Sequence, residues 1–347
     1  MIPRVATILS ARDWEGNLVA VARETAAIRL VLRAYQPSDI DSHIKDVDII
    51  VAGAETSWVT AAAIASWRRK GLRVIGLHPV ADRPARLLLE TGGAHAILAD
   101  DATAAEIIQT ARLMALNNSG EPTQPQGQLV AVTGARGAPG RSETALALAW
   151  NWASTTDVAL IDLDLDAPAL AIRTGRPPRP DLSDVAERIR LQGAFDKSDS
   201  HHFGAISMVV GSHRPGEGRL SSALVDDVVE ASRAAFNVTV MDLEPNLGED
   251  PLVKRSDHAV LVVDGTPRGL VRGARVAAEW AGPPPALVLN KVSRSTIQDS
   301  INAARKWTGL EPVAVVPHSK KIMDAAPTAA PPDWGLRKAL AHLEIPT

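Results

Sequence analysis

The stretch that decides the fold is VTGARGAPGRSET, Val132 to Thr144. It closes the apolar run QLVAVTG and opens ETALALAWNWA, an apolar-rich segment of helical composition. Strand, glycine-rich loop and helix in that order is the context a phosphate-binding loop requires. Backbone N–H groups and the positive end of the helix macrodipole then converge on one anion. Without the flanking strand and helix, the same glycines would read as an ordinary turn.

Downstream of the loop, DVALIDLDLD, GAISMVVGS, FNVTVMDLE, HAVLVVDGT, PALVLNKV and EPVAVVPH predict further strands, with helical stretches such as Ala223 to Ala235 and Val271 to Trp280 between them. Nearly continuous apolar runs suit parallel strands covered on both faces. Upstream lies LNNSGEPTQPQGQ, Leu116 to Gln128, which has linker composition. Before it, RVATILSA, RLVLRAY, DVDIIVAG, LRVIGLH and HAILAD alternate with helical patterns, the signature of a flavodoxin-like parallel sheet. The expectation is an α/β chain: one domain over 1–115, a linker over 116–128 and a larger, mainly parallel P-loop sheet with helices on both faces over 129–347.

Composition agrees with a globular, soluble chain: 347 residues allow two cores, with 46% hydrophobic and 22% charged residues. Net charge is −3 and the cations are scattered, so there is no strong nucleic-acid signal. The absence of cysteine excludes disulfides, thiolate metal sites and cysteine-ligated iron–sulfur clusters, and a reducing cytoplasm is the expected location. The first residues, MIPRVATILSARDWEG, carry Arg4 and Arg12 and lack a signal-peptide core. No run approaches the roughly 18 apolar residues of a transmembrane helix.

Two strand ends are acidic. ALIDLDLDAP places Asp162, Asp164 and Asp166 in alternation, and VTVMDLEPN places Asp242 at the end of a later strand. Carboxylates gathered at strand ends repel unless a cation or donor joins them. Phosphoryl transfer needs this kind of set: a loop cation, a hydroxyl, a magnesium-side Asp and a water-positioning Asp.

These residues resemble the deviant Walker A family that includes MinD, ParA and, behind a receiver-like domain, CpaE and TadZ. The family loop reads KGGxGK[ST]; here it is RGAPGRS, Arg136 to Ser142. The resemblance implies ATP and magnesium as cofactors, with Gly137, Ala138, Pro139, Gly140, Arg141, Ser142 and Glu143 around the phosphates. It places Ser142, Asp162 and Asp242 at the metal and Asp164 at the attacking water. Arg141 stands at the main lysine, and Arg136 at the early lysine that reaches across a homodimer. Asn290, ending PALVLNKV, would read the base, and Pro317 would lie near base and ribose. Both family lysines are arginine here, a wide planar fork in place of a compact point charge, so binding is expected to survive better than catalysis. Pro139 removes a backbone donor, and Glu143 sets a carboxylate beside the phosphates.

The N-terminal half resembles a response-regulator receiver as a scaffold only. Gly53 stands at the phosphoacceptor position, Asp100 at the conserved lysine and His78 at the hydroxyl position, so docking or dimerisation is expected and phosphotransfer is not. Glu55 reads as an exposed loop residue. The leading expectation is a CpaE/TadZ-like dimeric switch that helps place a pilus or secretion machine, with weak or absent hydrolysis and membrane contact at most peripheral, at a pole or the inner face. A non-catalytic scaffold and a MinD-like or ParA-like division or partitioning regulator are the alternatives. His201 and His202 read as a polar loop, and Trp58 and Trp67 as partly buried core. The tail is expected to form a helix that packs Leu336, Leu340 and Leu343 on the domain.

Overall fold

The structure, a computed structural model, describes residues 2–116, 126–137, 139–212, 220–245, 249–325 and 329–344. Backbone packing divides the chain into two compact units. One comprises Met1–Pro125 with Ala186–Phe195 and Asp226–Ala231; the other comprises Gln126–Val185, Asp196–Val225 and Ser232–Thr347.

The first unit holds a five-stranded sheet of β1 (Arg4–Ile8), β2 (Arg29–Ala34), β3 (Ile49–Gly53), β4 (Arg73–His78) and β5 (Ala96–Ala99). Their order is β2-β1-β3-β4-β5 and every pair is parallel, the flavodoxin-like arrangement. Successive side chains on a strand face opposite ways. Ala6 and Ile50 accordingly join Trp67 and Leu89 in one apolar layer, whereas Val5 and Ile49 join Leu18 and Ile107 in the other. Trp67 is buried and meets Trp58 edge-on at 6.2 Å, which makes the pair part of the core.

Glu55 departs from the expected exposed loop residue. It is half-buried, accepts a hydrogen bond from Ser10 Oγ and lies 3.5 Å from Trp14 Nε1. Its carboxylate lies over Gly53, where a Cβ would come within 2.3 Å of it. The missing side chain at residue 53 and the inward turn of Glu55 are therefore one packing feature.

The second unit holds β6 (Gln128–Gly134), β7 (Val158–Leu163), β8 (His201–Phe203), β9 (Ile206–Val209), β10 (Val238–Leu243), β11 (His258–Asp264), β12 (Pro285–Val292) and β13 (Pro312–Pro317). They lie in the order β13-β12-β11-β6-β10-β7-β9-β8. All neighbours are parallel except β8 and β9. The β8 hairpin corrects the loop expected at His201 and His202. Phe203 pairs with Ile206 across Gly204 at φ +61, a tight turn that needs glycine. A Cβ on Gly204 would also strike the Trp150 ring at 2.7 Å.

β6 lies between β10 and β11, so the loop after it opens at the centre of the sheet. The helix Arg141–Trp152 that follows is apolar on most of its surface, and Ala145 to Ala149 are fully buried. It is covered in part by the helix Trp334–Leu340. Leu336 and Leu340 enter the same core, Asn151 donates to the Arg337 carbonyl at 2.9 Å, and Trp152 Nε1 donates to the Leu343 carbonyl at 3.0 Å. The tail thus packs on its own domain. No helix among the described residues is long and apolar enough to cross a membrane.

Leu340 is fully buried in that core. Leu340→Ala is expected to lower stability by about 2–5 kcal/mol, read from the denaturant midpoint of this unit. An unchanged midpoint would mean that the helix does not close the core.

Candidate functional site

The site gathers at the carboxyl ends of β6, β7 and β10. Gly140 caps the helix in the left-handed region at φ +94, and no side chain occupies the cap. Gly137 is also left-handed, at φ +115, so both turns of the loop use conformations that side chains resist. Ala138 lies outside the described residues.

Arg141 does not point out to solvent. It is 9% exposed; Nη2 donates to Asp164 Oδ2 at 3.0 Å and Nη1 donates to the Leu243 carbonyl. Asp164 also accepts from the Ala167 N–H at 3.0 Å. The expected loop cation and the expected water-positioning carboxylate are therefore paired with each other.

Asp162 and Asp242 are direct register partners on adjacent parallel strands, so their buried carboxylates sit side by side. Asp162 is committed to the backbone, accepting from the N–H groups of Asp164 (3.3 Å), Ala169 (3.0 Å) and Leu170 (2.9 Å). Burial pushes its pKa up, opposed by those three bonds. Asp242 has no such relief. Both its oxygens are buried without an ordinary hydrogen bond, although the Ser142 side chain is near enough to lower its pKa. Burial first, then the Asp162 charge, push Asp242 up to about 8, and the two carboxyls titrate as a linked pair. Arg141 Nε is likewise buried and unpartnered.

Orphaned buried acceptors beside a hydroxyl fit a hard divalent cation. Ser142 and Asp242 are thus the residues that would hold magnesium. Asp162, the other carboxylate expected at the metal, accepts three N–H groups of the segment after β7. Asp166 is exposed.

Glu143, expected to repel a triphosphate, is neutralised by an ion pair with Arg173, whose Nη2 donates to Oε2 at 3.2 Å. Arg173 is buried and also donates to the Ala330 carbonyl at 2.8 Å. Nothing in the spacing of LAIRTG pointed to this partner. Asn290 is buried; its Nδ2 donates to the Pro139 carbonyl at 2.7 Å and its Oδ1 accepts from the Lys291 N–H at 2.8 Å. It pins the loop, and a Cβ on Gly140 would meet it at 2.3 Å. Gly140, Glu143, Asn290 and Pro317 do line one cavity of about 190 Å³, with Lys291 and His318. Arg136, Gly137 and Pro139 line another, of about 200 Å³, on the side of β11.

With this geometry in hand, known structures can be compared. The MinC:MinD cell division complex of Aquifex aeolicus matches with a TM-score of 0.52 at 14% identity, over 64% of this chain and 98% of that chain. The cell division ATPase MinD of Pyrococcus furiosus matches at 0.46 and 17% identity, over 63% of this chain and all of that chain. A plasmid partition protein of Borrelia burgdorferi bound to AMPPNP matches at 0.48 and 14% identity, over 63% and 98%. No family model matches the chain, and none of the curated proteins matches it in sequence. The fold is that of a MinD-type P-loop protein: α/β, with mostly parallel sheets flanked by helices.

A carboxyl whose folded pKa is raised destabilises the fold as pH climbs from the ordinary value, about 4, toward the folded one. Stability measured without nucleotide or metal is therefore expected to fall between about pH 4 and pH 8, and Asp242→Asn to flatten that slope and be the more stable chain at the upper end. An equally steep slope in Asp242→Asn would remove Asp242 as its source.

Proposed function

We infer that the chain binds ATP with magnesium in the β6 loop and acts as a nucleotide-dependent dimeric switch of the CpaE/TadZ-like type, with weak or absent hydrolysis. One observation carries this reading: a left-handed glycine loop at a helix start, with an inward arginine and an orphaned buried carboxylate beside a serine hydroxyl. A phosphate–metal pair would give each of these parts a ligand.

In this reading the loop N–H groups and the helix start hold the phosphates. Ser142 and Asp242 hold magnesium, which when bound neutralises phosphate charge and orders water. Asp164 orients the attacking water once Arg141 turns from it to the phosphates. Pro139 supplies no donor, and the Arg173 pair keeps Glu143 from opposing the anion. Asn290 and Pro317 border the cavity assigned to base and ribose. Arg136, exposed on the rim, is the residue to reach a second copy of the chain. The receiver-like unit, with Gly53 and an inward Glu55, serves docking. Placement of a pilus or secretion machine is the function that combination supports, at the inner face of the membrane or a pole. The MinD of Aquifex aeolicus is seen with a partner protein, MinC, and partner recognition by this chain is proposed on the same footing.

The Arg141–Asp164 pair favours a second reading, a scaffold in which the arginine permanently replaces the metal and phosphate. Calorimetry with Mg·ATP, with light scattering for dimers, separates the two. Saturable binding with dimerisation is expected, the ATP-driven dimerisation being lost in Arg141→Ala; no binding at about 1 mM ATP would leave the scaffold. Arg136→Lys/Arg141→Lys is expected to raise the hydrolysis rate about tenfold or more, because a point charge fits between phosphates where the planar fork does not. An unchanged rate would locate the catalytic deficit elsewhere.

A further inference from the structure

The cleft of about 200 Å³ beside β11 contains three arginines from two elements: Arg136 on the first limb of the loop, and Arg268 and Arg272 one helical turn apart on the helix Pro267–Ala278. All three are exposed, and none of them pairs with a carboxylate among the described residues. Asp264, the carboxylate lining the cleft, is turned to the backbone and accepts the Thr266 N–H at 2.8 Å. Arg272 is fixed in place: Nη1 donates to the Arg136 carbonyl at 2.9 Å and lies against Gly137, where a Cβ would come within 2.4 Å. The glycine thus clears the space that lets this guanidinium reach the loop from outside.

Three guanidinium groups and one carboxylate around one small cleft leave an excess of positive charge among the described residues, and the guanidinium groups repel one another. An anion of more than one charge offsets that repulsion, and a tetrahedral oxyanion offers several acceptors to the arginine forks. Arg141 is elsewhere, buried on Asp164, so this cluster is distinct from the loop interior.

We propose that Arg136, Arg268 and Arg272 form a second oxyanion seat, outside the P-loop interior, that takes the phosphate chain of a nucleoside polyphosphate or free pyrophosphate. The seat goes beyond the ATP reading, because Arg268 and Arg272 have no part in that reading, and it would bind pyrophosphate even if the loop held no ATP.

The test is calorimetric titration of the full chain with pyrophosphate at low ionic strength, in Arg141→Ala and in the same background carrying Arg268→Gln/Arg272→Gln. Saturable binding in the first, weakened about tenfold or more in the second and largely recovered with Arg268→Lys/Arg272→Lys, is the expected result. Equal affinity in both, or no saturable binding to the Arg141→Ala chain with its fold intact, overturns the seat. Should Arg141→Ala melt early, Arg268→Gln/Arg272→Gln in the native chain reads the same point. The pyrophosphate stoichiometry falls if the seat exists and is unchanged if it does not. Mg·ATP-driven dimerisation of the native chain is a separate arm: dimerisation tests the loop, pyrophosphate without Arg141 tests the seat, and the two fail independently. Binding of ADP and ATP but not AMP to the Arg141→Ala chain identifies a nucleotide's phosphate chain as the source, whereas pyrophosphate alone identifies the free anion.

Discussion

The buried pair of Arg141 and Asp164 is the interaction on which the site depends. A charge taken from water is costly unless paired, and here one guanidinium faces three carboxyl groups at the ends of β7 and β10. Asp162 meets this constraint with three backbone N–H groups and Asp164 with Arg141, whereas burial pushes the Asp242 pKa up to about 8. The two oxygens of Asp242 are buried without an ordinary hydrogen bond. Arg141 is thereby committed to Asp164 and the Leu243 carbonyl, and under the proposed function phosphate would compete with Asp164 for it.

Around this pair, loop geometry is held by parts that tolerate little change. Gly137 and Gly140 take left-handed backbone, and both are approached closely, by Arg272 from outside and by Asn290 from within. Asn290 links the loop to the end of β12, and the Glu143–Arg173 pair links the helix start to the helix Leu170–Thr174. Movement of the loop on binding phosphate would thus be felt at β12 and after β7.

Much of the fold was legible because it rests on apolar runs. The expected strands all form, and the tail leucines Leu336 and Leu340 bury as their spacing implied. β8 was missed because three residues led by two histidines carry almost no alternation; only the Phe-Gly-Ala-Ile turn signalled it. The site was legible as a set of residues at the carboxyl ends of the central strands, but not as a set of pairings. That Asp162 faces backbone, that Arg173 answers Glu143, that Glu55 folds over Gly53 and that Arg272 reaches the loop are long-range contacts set by tertiary packing. No local pattern records them.

Hydrogen exchange of the full chain with and without Mg·ATP tests the central claim most directly. If the loop is a working nucleotide site, amides of residues 139–145 gain protection and those of Ala167, Ala169 and Leu170 change as Asp164 and Asp162 readjust. Unchanged exchange in both segments at saturating Mg·ATP would contradict the account and leave Arg141 as a permanent plug.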